Sequence, residues 1–221
     1  LKNCMAQCRN QSLHLMGLVS DGGVHSHFTH LLALVEMAKR EGLKNVYIHA
    51  FLDGRDVPPK SASGYLAQLE QELQKIGLGK IATVSGRYYA MDRDKNWQRT
   101  QKAYDCLTKG LAEEAESAVA GVEQSYAEGV TDEFVVPFKV QGVGGRIKAG
   151  DGVIFFNFRP DRARQITRAL NDKEFEFFPR EQAAMPVHYV CMTQYDATID
   201  APVAFPPESY EDTLGQVLAA Q

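Results

Sequence analysis

The stretch Leu13-His14-Leu15-Met16-Gly17-Leu18-Val19, then Ser20-Asp21-Gly22-Gly23-Val24-His25-Ser26-His27, then Thr29 to Arg40, decides the fold. The first part is an apolar run of strand length. The second is a polar loop with a Gly-Gly turn. The third places Leu31, Leu32, Leu34, Val35 and Ala38 on the stripe of an amphipathic helix, which Gly42 ends. The same succession recurs. Asn45 to Phe51 reads as a strand and Ser63 to Ile76 as a helix closed by Gly77. Lys80 to Ser85 reads as a third strand and Trp97 to Thr108 as a third helix. Strand, loop and helix in succession predict an α/β fold with a largely parallel sheet flanked by helices, in a single domain.

The pattern then loosens. Ser117 to Glu128 reads as a helix and Phe134 to Val140 as a strand. Gln141-Gly142-Val143-Gly144-Gly145 reads as an antiparallel turn, since Ile147 stands where a dinucleotide fingerprint needs glycine. Val153 to Phe158 is the most hydrophobic strand, with a helix expected from about Asp161 to Leu170. Val187 to Thr193 is a further strand. Leu1 reads as lying inside a helix, and Thr213 to Gln221 as a helix with no stop signal. The chain is therefore expected to be a piece of a longer protein.

In open α/β sheets, ligands bind at the carboxyl ends of the strands. Four charged loops fall at such ends: Ser20 to His27, Asp53-Gly54-Arg55-Asp56, Ser85-Gly86-Arg87 with Met91-Asp92-Arg93-Asp94, and Arg159-Pro160-Asp161-Arg162. Together they carry five arginines, and guanidinium groups grip carboxylate and phosphate bidentately. Convergence of those loops predicts a pocket for a small, multiply charged anion such as a phosphorylated organic acid. The net charge of −4 gives the chain no general attraction for nucleic acid or an anionic membrane, so the arginines must act locally. No run of apolar residues is long enough to span a bilayer. The four cysteines, Cys4, Cys8, Cys106 and Cys191, form no C-x-x-C pair and suit reduced thiols of a cytoplasmic protein.

Each motif has a plainer reading beside the functional one. Arg55-Asp56, stiffened by Pro58-Pro59, is either a surface ion pair or a place where Asp56 orients Arg55 or takes a hydroxyl proton. Asp161 is placed to cap the helix after it, with Arg159 and Arg162 straddling the first turn, where an anion would offset their charge. Arg87 and Arg93 bracket Tyr88-Tyr89-Ala90-Met91, which either packs on the core or covers a pocket. His25, His27 and His30 have metal-like spacing, but one functional imidazole, His25, fits better than a three-histidine ligand set.

The four loops with their flanking strands, Leu15 to His27, Phe51 to Asp56, Ser85 to Asp94 and Asn157 to Arg162, together resemble the cofactor-independent phosphoglycerate mutase family. That resemblance implies a mixed, curved sheet. It also implies that residues 1–221 correspond to the inserted phosphotransferase, or substrate-binding, domain. The serine nucleophile, two Mn²⁺ ions and a substrate-contacting lysine belong to a phosphatase-like domain outside this chain. By the same resemblance, the substrate contacts carry over to His25, Arg55, Asp56, Arg87, Arg93, Arg159 and Arg162. Asp56 is then the acid/base for the glycerate hydroxyls, and no metal or cofactor is held here. The implied partners are 3-phosphoglycerate, 2-phosphoglycerate, a glycerate intermediate and the phosphatase-like domain. The rival readings are a metal-dependent phosphohydrolase using Asp21, His25 and His27, and a non-catalytic module that binds organic phosphates.

Overall fold

The computed structural model of the chain describes residues 1–180, 187–208 and 214–219. In chain order the elements are α1 (Lys2–Gln7), β1 (Leu13–Leu18), α2 (Phe28–Arg40), β2 (Val46–Leu52), α3 (Ala62–Ile76), β3 (Lys80–Gly86), α4 (Arg87–Ala90) and α5 (Trp97–Lys109). They continue as β4 (Glu113–Ala115), α6 (Ala118–Ala127), β5 (Phe138–Val140), β6 (Gly152–Phe155), α7 (Arg164–Asn171), β7 (His188–Thr193), β8 (Val203–Phe205) and α8 (Leu214–Ala219). A 3₁₀ turn, Asp132–Phe134, precedes β5. Within the helix expected over Thr213 to Gln221, Leu214–Ala219 is helical; Thr213, Ala220 and Gln221 lie outside the described residues.

The strands form an eight-stranded sheet in the order β4-β5-β3-β2-β1-β6-β7-β8. Every pairing is parallel except that of β3 with β5, so the sheet is mixed but mostly parallel. All six residues of β1 are buried, as a central strand covered on both faces requires. On one face, Leu15, Ile48, Ala50 and Leu52 pack with Leu31 and Val35 of α2 and with Leu66 and Leu69 of α3. On the other, Met16, Leu18, Phe51, Val153 and Phe155 pack with Tyr104 and Leu107 of α5 and Ile166 and Leu170 of α7. Each fully buried side chain of this kind contributes about 1.5–3 kcal/mol. The direction of strand order reverses at β1, between β2 and β6, which opens a crevice at the carboxyl edge.

Where the periodicity was clear, helix ends fall within a residue or two of expectation. Gly77 terminates α3 in the left-handed region at φ 74°, the conformation for which glycine is preferred. Four expectations need correction. The glycine-rich stretch after β5 is not an antiparallel turn, because β5 pairs with β3 and β4 and the chain goes on to cross to β6 on the far side of β1. Gly145 lies so close to the sheet that a Cβ there would sit 2.5 Å from the Ala82 Cβ. Only Phe138–Val140 of the run from Phe134 is strand; Phe134 and Val136 are exposed. The β6 strand ends at Phe155, and α7 begins at Arg164 with Ala163 as its cap, so Asp161 caps nothing. Arg159 and Arg162 therefore precede the helix instead of straddling its first turn.

Candidate functional site

The β1 exit loop is anchored at both ends. Ser26 Oγ donates to the Leu18 carbonyl at 2.5 Å. The His25 carbonyl accepts from the amides of Phe158 at 2.7 Å and Arg159 at 3.3 Å, which ties this loop to the chain leaving β6. Gly17 allows the same approach from below, since a Cβ there would lie 2.8 Å from Asn157 Oδ1, which itself accepts from the Leu18 amide. After β2, Asp53 Oδ1 accepts from the amides of Arg55 at 3.2 Å and Asp56 at 3.0 Å, while its Oδ2 accepts from Ser20 Oγ at 2.7 Å. Burial pushes the Asp53 carboxyl up, but these hydrogen bonds and the Arg87 charge outweigh it and hold the pKa below the usual value.

Arg87 is the hub. It sits in α4, directly after β3, and is buried. Its Nη1 donates to Asp53 Oδ1 and to Asp56 Oδ2, both at 2.7 Å, and its Nη2 lies 2.9 Å from His25 Nε2. Guanidinium nitrogens only donate, so His25 Nε2 must accept and its proton must sit on Nδ1. That Nδ1 is buried, has no hydrogen-bond partner among the described residues, and lies 3.8 Å from Asp161 Oδ1. An oxygen of a ligand would satisfy it. Burial first, then the Arg87 charge, lowers the His25 pKa to about 4.

That shift has a consequence for stability. The folded pKa lies below the ordinary histidine value of about 6.5, so acid protonates the unfolded chain first. The stabilisation from neutral His25 is fully present above about pH 6.5 and is lost as pH falls toward 4. His25→Asn should therefore flatten the loss of unfolding free energy between pH 7 and 4.5 by about 2 kcal/mol. Urea unfolding of both proteins at the two pH values checks this; parallel losses would refute it. Buried His49, also held well below its ordinary value by burial and His14, contributes with the same sign in both proteins and so cancels in the comparison.

Two of the remaining arginines grip a second carboxylate. Arg159 donates Nε to Asp161 Oδ1 at 2.9 Å and Nη2 to Oδ2 at 3.2 Å, and Arg93 Nη1 donates to Oδ2 at 2.6 Å. Arg162 Nη1 donates to the Met91 carbonyl at 3.2 Å. Burial, then the charges of Arg93, Arg87 and Arg55, depress the Arg162 pKa, which marks a region of concentrated positive charge. Arg55 is the peripheral member, exposed and paired with Glu133 at 3.2 Å.

Several supporting residues were not singled out from the sequence. Asp92 accepts from Asn96, Asp94, Gln165 and Arg99, and Gln165 Oε1 accepts from the Lys95 amide, so the loop bearing Arg93 is pinned to α7. Asp132 Oδ2 accepts from the Ser61 and Ala62 amides at the start of α3. Gly54 and Gly86 let the 3₁₀ segment press close, since a Cβ at Gly86 would fall 2.3 Å from the Glu133 carbonyl oxygen. The rival ligand trio is drawn to separate partners: Asp21 to the Tyr65 hydroxyl, His25 to Arg87, and His27 to Thr29, where it caps α2. Among the described residues, no group of three His, Cys, Asp or Glu side chains is placed to hold a metal ion. The two Mn²⁺ ions are those that the resemblance places outside this chain.

The family described as BPG-independent PGAM N-terminus matches residues 1–197. The chain belongs to that family. It is 59% identical over 210 residues to the 2,3-bisphosphoglycerate-independent phosphoglycerate mutase of Symbiobacterium thermophilum, covering 95% of this chain and 41% of that protein. The enzyme of the same name from Clostridium perfringens strain 13 is 54% identical over 220 residues, covering 98% of this chain and 43% of that protein. A crystal structure of Leishmania mexicana phosphoglycerate mutase, determined at low cobalt concentration, superposes with a TM-score of 0.90 at 32% identity. It covers 98% of this chain and 42% of that one. This member of the BPG-independent PGAM family thus spans about two fifths of the length of the relatives it matches.

Proposed function

We propose that this chain is the substrate-holding part of an enzyme that interconverts 3-phosphoglycerate and 2-phosphoglycerate. The observation that carries the reading is the meeting of His25, Asp56, Arg87, Arg93, Arg159 and Arg162 at the carboxyl ends of β1, β2, β3 and β6. Family membership supports it. In this reading a serine elsewhere in the full-length protein takes the phosphoryl group, with two Mn²⁺ ions beside it. The arginines keep hold of glycerate through its carboxylate and receive the phosphate when it returns. The His25 Nδ1 proton is placed for a ligand oxygen, and Asp56 exchanges the proton of the reacting hydroxyl. Arg55 is exposed enough to close over the ligand from the rim. No described helix is long and apolar enough to cross a membrane. The proposed reaction, a step between soluble phosphorylated acids, assigns the protein to the cytoplasm.

Calorimetric titration of this chain with 3-phosphoglycerate, glycerate and inorganic phosphate tests the proposal. The phosphorylated acid should bind tightest, and its affinity should fall with added salt. Arg162→Lys and Arg159→Lys keep the charge but lose the planar fork, and each should cost about 1–3 kcal/mol of binding. Unchanged affinity in both variants would remove these residues from the site. The chain alone should bind without turnover, since covalent relay needs an activated nucleophile that these loops do not supply. Metal-independent conversion of 3- to 2-phosphoglycerate by this chain alone would overturn the division of labour.

A further inference from the structure

Asp161 stands apart from the other acidic groups of the site. Asp53 is buried and saturated by Ser20, two backbone amides and Arg87, which makes it part of the scaffold. The Asp161 carboxylate is partly exposed, and the groups that grip it are those an incoming anion would want. They are the Nε and Nη2 edge of Arg159, the Nη1 of Arg93 and, at 3.8 Å, the buried and unsatisfied Nδ1 of His25. The Arg93 and Arg159 side chains are 43% and 45% exposed, so packing alone does not fix them; the Asp161 carboxylate does.

A guanidinium edge that grips one carboxylate bidentately cannot offer the same two N–H groups to another. We propose that Asp161 is a specificity-determining residue. Its carboxylate fills, from within the chain, the anion subsite formed by Arg93, Arg159 and His25, and a ligand anion binds there by taking these groups from it. The inference rests on the proposed reading that the arginines hold a phosphorylated acid. An internal competitor acts at high effective concentration, so a lone simple anion displaces it poorly. A ligand with a second anionic group, held at the same time by Arg162, recovers the loss. Asp161 thus favours ligands carrying both a carboxylate and a phosphate over inorganic phosphate.

The test is calorimetric titration of the native chain, Asp161→Asn and Asp94→Asn with inorganic phosphate and with 3-phosphoglycerate. Asp94 is exposed on the same loop as Arg93, so its variant removes an equal charge without freeing an arginine. Asp161→Asn should bind phosphate at least about tenfold tighter than the native chain, the equivalent of releasing one charge-assisted contact. Asp94→Asn should change it by less than about threefold. Equal or weaker phosphate binding in Asp161→Asn, an equal gain in Asp94→Asn, or no phosphate binding to any of the three overturns the proposal. A phosphate gain without any binding of 3-phosphoglycerate sustains the role of Asp161 and defeats the substrate reading instead. If the asparagine variant does not fold, the native chain still decides. The Asp161 carboxyl carbon resonance should move as phosphate saturates, and a resonance that stays fixed through saturation overturns the proposal.

Discussion

Replacing Arg87 by methionine should cost this chain about 3–5 kcal/mol of folding free energy, the range for removing one partner of a buried ion pair. Methionine keeps the length and most of the volume but no donor. Asp53, 2% exposed, would keep Ser20 and two amides yet lose Arg87, its one cationic partner among the described residues. Asp56 is about one-fifth exposed, so water would recover part of its loss. His25 Nε2 would lose the Arg87 donor as well. Most of the cost therefore lies on Asp53, and Asp53→Asn in the Arg87→Met background should restore a good part of it. Without the Arg87 charge, the His25 pKa should also rise from about 4, because that charge is the second cause of its depression after burial. Urea unfolding at pH 7 measures the first effect and histidine titration by NMR the second. A stability loss below about 1 kcal/mol would mean that Arg87 is not the hub its contacts indicate.

The sequence made some of this arrangement readable and hid the rest for physical reasons. The central strands were legible because β1, β2, β3 and β6 are almost wholly buried and so read as largely apolar runs, broken by a few polar residues such as His14, His49 and Thr83. Helices α2 and α3 were legible from their stripes and terminal glycines. Convergence of the charged loops followed from parallel strands alone. The strands β4 and β8, three residues each, are too short to carry a period. The start of α7 was misplaced because Asp161, following a proline, has the chemistry of a helix cap. The structure spends that carboxylate on Arg93 and Arg159 instead, and no local pattern distinguishes the two uses. The pairs Arg55–Glu133 and Asp92–Gln165 lie 78 and 73 residues apart, so only the fold brings them together. The sequence placed the arginines at strand ends; it gave no sign that carboxylates of the same chain already hold them.

In the full-length enzyme of which this segment is proposed to be part, Asp56→Asn should lower turnover by about 10²–10⁴-fold, the usual contribution of a positioned acid/base. Three aspartates face the arginines, and geometry separates them. Both oxygens of Asp53 are engaged, as are both oxygens of Asp161. Asp56 gives only Oδ2 to Arg87; its Oδ1 accepts no hydrogen bond among the described residues. Before a ligand binds, it alone of the three has an oxygen left free to meet a hydroxyl proton. The amide keeps the shape and an acceptor for Arg87 but has no comparable basicity. Removing the negative charge also relieves repulsion toward an anionic ligand. Binding of 3-phosphoglycerate should therefore be unchanged or tighter while kcat collapses, the signature of an interaction that matters during proton transfer and not in the ground state. Steady-state kinetics with calorimetry on the same protein separates the two. Near-normal turnover would remove Asp56 from the chemistry, and a loss confined to binding would recast it as a support for Arg87.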